Sequence, residues 1–158
     1  MSDESAPEFA VFRGEPRSVQ AARDWAAARL AQAGADAETA RLLASELVTN
    51  AVLHSLSGEP GGTVTVIVTA CRGLHVHDLG PRAGSCGQAP GADRADFGRG
   101  LLLTAELGAG LAHGPAGACP LSWPGDPAVA AGGCCTRCVT PALAGAVPLG
   151  GQPSAAAA

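Results

Sequence analysis

The chain has 158 residues, 47% of them hydrophobic but only 3% aromatic, which bounds one domain of ordinary size with a thin, aliphatic core. Ten basic residues, all arginine, stand against 14 acidic ones for a net charge of −4, and no basic stripe appears, so a nucleic-acid footprint is excluded. The opening "MSDESAPEFA" is acidic and polar, unlike a secretory signal, and no apolar run reaches the roughly 18–20 residues of a bilayer span, so a cytoplasmic chain without a membrane segment is expected.

In chain order, residues 1–8 read as disordered and "FAVFRG" (9–14) as a short strand. A helix follows, with Ser18 placed as N-cap, an apolar stripe of Val19, Ala22, Ala26, Leu30 and Ala33, and Gly34 at the C′ position. Asp36 can cap a second helix whose apolar positions include Leu43, Leu47, Val48, Ala51 and Val52, ended by the loop "SGEPGG" (57–62). "TVTVIVTA" (63–70) is a β-branched strand, and "LHVHDLG" (74–80) alternates, with Leu74, Val76 and Asp78 on one side and His75 and His77 on the other. The two strands read as an antiparallel hairpin. Residues 81–97 form a long loop rich in Gly, Ala, Pro and Asp, and "GRGLLLTAEL" (98–107) is a glycine-rich entry into an apolar helix. From 108 onward Gly, Ala, Pro and Cys dominate with no sustained period, so 111–158 is expected to be a poorly ordered, low-complexity tail.

The six cysteines are expected to be reduced and incidental. "CTRC" (135–138) has CxxC spacing, but a tetrahedral site would need two more ligands, such as Cys119 and Cys134 or His113, at irregular separations.

Three features carry candidate chemistry. Glu46, Asn50 and His54 are spaced i, i+4, i+8, each step rising about 6 Å and turning about 40°, so they share a helix face. Asn50 is also the sole asparagine in the chain. That row is either an exposed polar strip on an amphipathic helix or a site, since polar groups inside an apolar stripe need partners. Asp78 ends an inward-facing strand before Leu79-Gly80; it is either a turn-initiating residue or an acceptor for a ligand amino group. "GRGL" (98–101) is either a plain turn or an anion-binding helix entry.

Taken in order, Glu-x-x-x-Asn on a helix, Asp-x-Gly after a strand, a loop, and Gly-x-Gly opening another helix resemble the GHKL ATPases, the superfamily of gyrase, a heat-shock chaperone and the histidine kinases. "SELVTNAVLHS" (45–55) and the small size are similar to the stand-alone anti-sigma-factor serine/threonine kinases, and residues 12–23 resemble the opening of their actinobacterial members. The resemblance covers residues 9–110. It implies an α+β, two-layer sandwich, a mixed, mostly antiparallel sheet covered on one face by helices. It implies ATP and Mg2+ as cofactors, with Asn50 holding the magnesium and Glu46 as the acid/base residue. Asp78 would accept from the adenine amino group and Gly80 would leave room for the ring. Gly98, Gly100 and Leu101 would offer the phosphates backbone amides, Arg99 would contact a phosphate, His54 would stand near the nucleotide, and residues 81–97 would be the lid. A sigma factor and an anti-anti-sigma protein are the implied partners, and a homodimer the implied assembly. Family members close with a further hairpin after the glycine-box helix; "AGLAHGPAGACPLSWPGDP" (109–127) does not resemble it. The alternatives to a kinase are therefore a nucleotide-binding switch without phosphotransfer and a domain damaged at its C-terminal end by a frameshift.

Overall fold

The computed structural model describes residues 6–70, 73–82 and 110–139. In chain order these form β1 (Glu8–Arg13), α1 (Pro16–Gln32), α2 (Ala37–His54), β2 (Thr63–Val68), β3 (Gly73–Asp78), β4 (Gly110–Pro115), α3 (Pro127–Ala130) and β5 (Cys134–Val139). The strands make one sheet in the order β1-β2-β3-β5-β4, and every described pairing is antiparallel. The two-layer α+β architecture expected from the sequence is the one formed.

Local signals explain most element ends. Gly34 takes a φ of +91° just past α1, a left-handed conformation that costs glycine little. Asp36 caps α2 by accepting from the Thr39 N–H at 2.8 Å. Ser18, read as the cap of α1, lies inside the helix instead. α1 starts at Pro16 with Glu15 as N-cap, because the proline ring presets a helical φ and its missing N–H would have no partner in the first turn.

The core lies between α1, α2 and one sheet face. α1 contributes mainly small residues, Ala22, Ala26 and Ala27 with Leu30, which lets it lie close against α2. α2 supplies the bulk through Leu43, Leu47, Val48 and Val52, and the sheet answers with Val64, Val66, Val68, Leu74 and Val76. Trp25 stays at the margin, edge-on to Phe12 at 6.2 Å and beneath the Arg29 guanidinium at 4.2 Å. The aliphatic core predicted from composition is therefore present, with alanine setting its thinness.

Residues 110–139 do not behave as the low-complexity tail that the sequence implied. They form β4, α3 and β5, and β5 is an inner strand paired along all six residues with β3 on one side and β4 on the other. The connection from β4 to β5 crosses the sheet face opposite the helices. Trp123 meets Phe9 of β1 at 4.5 Å between ring centroids, and Asp126 meets His77 of β3 at 2.6 Å. Beneath it, Thr65, Ile67, His77 and Cys135 are almost wholly buried. Glu8, expected in a disordered leader, begins β1. Of the expected lid, residues 83–97 lie outside the described residues, as do the glycine-rich helix entry and the segment after Val139.

Candidate functional site

α2 places Glu46, Asn50 and His54 along one face, half-buried, beside the fully packed Leu43, Leu47 and Ala51. The polar ends of Glu46 and Asn50 therefore stay within reach of solvent and of an incoming molecule. His54 already takes part in an interaction of its own. The end of α2 is fastened to the turn that follows β3. The Leu56 N–H donates to the Gly80 carbonyl at 2.8 Å, the Leu79 N–H donates to Ser57 Oγ at 2.9 Å, and Ser55 forms a bridge with Pro81. Ser55 and Ser57 are buried, and their short side chains let the chain leave the helix without stranding its amides. The helix face and the Asp78–Gly80 turn are thus one mechanical unit.

Asp78 is 9% exposed and lies on the same sheet face as Leu74 and Val76. Burial pushes its carboxyl up to about 6, against the pull of the Gly80 and Cys134 amides that hydrogen-bond its charged form. The Gly80 N–H donates to Oδ1 at 2.7 Å. Gly80 holds a φ of +96°, and a Cβ there would meet nothing closer than 3.5 Å, so its requirement is conformational. Gly133 is different: a Cβ on it would stand 2.0 Å from the Asp78 carbonyl oxygen, so β5 can close against β3 only through a glycine at that position. Gly80→Ala is expected to lower the unfolding free energy by about 1–2 kcal/mol, the cost of left-handed backbone for an alanine, measured by urea titration of the ligand-free chain.

Of the residues singled out from the sequence, Glu46, Asn50 and His54 lie on one face of α2 and Asp78 and Gly80 at the end of β3, and the segment that follows α2 is bonded to the turn at Leu79–Pro81. Gly98, Arg99, Gly100 and Leu101 lie outside the described residues.

Sequence reasoning found only the cysteine half of a second group, since it takes His75 and His77 as ordinary strand residues. His75, His77, Cys119 and Cys135 bring four ligand atoms within 4.8 Å of one another, on the sheet face away from Asp78. The signal was the His-x-His alternation on a strand, which puts both rings on one side. Cys119 and Cys135 were among the ligands considered from the sequence, but among the described residues they are joined by His75 and His77. Cys134 stands opposite Asp78 in register and is disulfide-bonded, against the expectation of reduced thiols. His113 is hydrogen-bonded to Thr136 Oγ1 at 2.9 Å. Burial, with His77 and Arg137 nearby, lowers His75 to about 4. Burial, with Cys119 beside it, pushes the Cys135 thiol up.

Residues 12–119 match the family described as the histidine kinase-like ATPase domain. The match spans more than half of the chain, and the chain belongs to this family. It is accordingly an ATP-binding domain of regulatory type. No curated protein matches it. Among the described residues, no helix is long and apolar enough to cross a membrane.

Proposed function

We propose that this domain binds ATP with Mg2+ and acts as a protein serine/threonine kinase on a small anti-anti-sigma partner, thereby controlling a sigma factor. The observation that supports this most is that the segment ending α2, the helix that carries Glu46 and Asn50, is bonded to the turn after the buried Asp78 through Leu56–Gly80 and Leu79–Ser57. The donor set fits the group it would hold. The half-buried amide oxygen of Asn50 is a hard oxygen ligand of the kind that magnesium takes, and the half-buried carboxylate of Glu46, one turn before it, is free to act as a base. When bound, the cation would neutralise charge on the ATP phosphates during transfer.

In this reading Asn50 would hold the cation, and Glu46 accepts the proton from the partner's hydroxyl as that oxygen attacks the terminal phosphorus and ADP leaves. Asp78 accepts from the adenine amino group, and its burial makes that hydrogen bond selective, because a base without the donor would leave a desolvated acceptor position of the carboxylate unfilled beyond the two backbone amides. Gly98, Arg99, Gly100 and Leu101 complete the phosphate side.

Two variants test the roles. Asn50→Ala is expected to abolish Mg2+-dependent binding of a fluorescent adenine nucleotide. Glu46→Ala is expected to keep the nucleotide and lower phosphate transfer to the cognate partner by about 100-fold or more. Unchanged binding by Asn50→Ala would defeat the site assignment. Wild-type chain that binds ATP yet transfers no phosphate to that partner would instead make the domain a nucleotide-dependent switch.

A further inference from the structure

We propose that His75, His77, Cys119 and Cys135 form a tetrahedral zinc site that fastens the β4–β5 connection to the outer face of the sheet. All four ligand atoms lie within 4.8 Å of one another, and three of the four residues are buried while His75 is partly so. A bound ion would draw the widest pair slightly inward, since zinc–nitrogen and zinc–sulfur bonds of about 2.0–2.3 Å hold two ligand atoms no more than about 4.6 Å apart. Two thiols and two imidazoles are the donor set of closed, structural zinc centres.

The side chain of His77 supplies the second, independent observation. It is 0% exposed, and its Nδ1 stands 2.6 Å from Asp126 Oδ2. A carboxylate only accepts, so Nδ1 carries the proton and donates. The Nε2 atom is left buried without any hydrogen-bond partner. An orphaned ring nitrogen in a closed polar cluster needs a reason, and a lone pair directed at a cation supplies one. The carboxylate behind the ring is the arrangement that fixes tautomer and orientation in metal-bound histidine. Asp126 is itself anchored: it is fully buried, and its Oδ1 accepts from the Ala128 N–H at 2.9 Å.

The remaining ligands come from separate elements. His75 Nδ1 is 3.6 Å from Cys119 Sγ and 3.8 Å from Cys135 Sγ, close to the ligand–ligand separations of a tetrahedron. Cys135 pairs with His77 across the β3–β5 ladder, so the two share a face by register. Cys119 arrives on the connection after the short turn at Ala116–Ala118. A cleft of about 150 Å³, lined by Pro115, Ala118, Cys119 and Cys135 among others, opens onto the two sulfurs and gives an ion a way in. Arg137 faces the same side opposite His75. It does not oppose occupancy, because two thiolates cancel the charge of a divalent ion. On binding, each thiol releases its proton to solvent as its sulfur bonds the ion, so two protons leave per zinc.

The test uses the full chain, stripped with chelator and reloaded with zinc, then passed through gel filtration. One zinc per chain is expected to be retained, with release of two protons on loading. Cobalt(II) in its place is expected to give the intense visible absorption of tetrahedral thiolate coordination, a readout that needs no variant. Cys119→Ser with Cys135→Ser is expected to lose the metal, whereas Cys138→Ser and Cys71→Ser keep it. Asp126→Asn is expected to lower zinc affinity by about 10–100-fold while keeping the tetrahedral cobalt spectrum, as a positioning residue should. Wild-type chain that retains no zinc, a weak octahedral cobalt spectrum, loss of metal in Cys138→Ser but not in the double variant, or a Cys119–Cys135 disulfide in peptide maps of the purified chain would each overturn the assignment.

Discussion

A chain ending at Gly133 is expected to lose cooperative unfolding altogether. Its removal of β5 takes away an inner strand that pairs along six residues with β3 and along six with β4. Among the described residues β4 joins the sheet through β5 alone, so it would be released as well. β3 would become an edge, with a row of unpaired amides and carbonyls beside a buried aliphatic face. A domain of this size carries a net stability on the order of 5–15 kcal/mol, and losing two of five strands exceeds that. Circular dichroism during thermal unfolding would check this: the truncated chain should show a shallow, non-sigmoidal melt beside the sigmoidal one of the full chain. A sigmoidal melt at the full chain's midpoint would mean that the sheet does not depend on β5.

Asp78→Asn is expected to separate stability from ligand binding. Desolvation raises this carboxyl to about 6 in the folded chain, well above the ordinary 3.8. The folded state therefore holds the proton more tightly than the unfolded state does. The contribution of Asp78 to stability is full below about pH 4, falls as pH rises through about 6, and is an unfavourable burial of charge at neutral pH. The neutral asparagine removes that penalty but can accept only one of the two backbone amides, so the ligand-free variant should gain about 1–3 kcal/mol at pH 7.5. Its stability should also lack the downward slope between pH 4 and 6. Adenine nucleotide affinity should fall at least tenfold, because an amide cannot replace a carboxylate as a strong acceptor. Urea midpoints at three pH values and a nucleotide titration test both halves. A variant that is less stable than wild type at pH 7.5 would mean that the two amide hydrogen bonds outweigh the burial of charge.

The first half of the chain was legible because its signals are local. Asp36 caps, Gly34 terminates, and the stripe Leu43–Leu47–Ala51 declares a buried helix face whose polar edge carries Glu46, Asn50 and His54. β2 and β3 declare themselves by β-branched runs and by alternation. The second half was not legible because its strands borrow their order. "GLAHGP" and "CCTRCV" have little intrinsic preference for extended backbone, and they become strands by pairing with one another and with β3. The His–Cys group was hidden for the same reason. Its members come from residues 75, 77, 119 and 135, a spacing that makes sense only once Cys135 is known to stand opposite His77 and the connection is known to cross the outer face.

β3 also sets a limit on how this sequence can change by insertion or deletion. Leu74, Val76 and Asp78 point toward the helices and His75 and His77 toward the connection, so each consecutive residue serves a different compartment. Gaining or losing one residue within this strand would exchange the two sets from that point on, placing rings in the aliphatic core and carboxylate and leucine on the far side. Substitutions in β3 can be absorbed one face at a time, but a change of length cannot. Among relatives that keep both faces, length variation should therefore fall before Leu74 or beyond Gly80, and the spacing from Leu74 to Asp78 should be invariant.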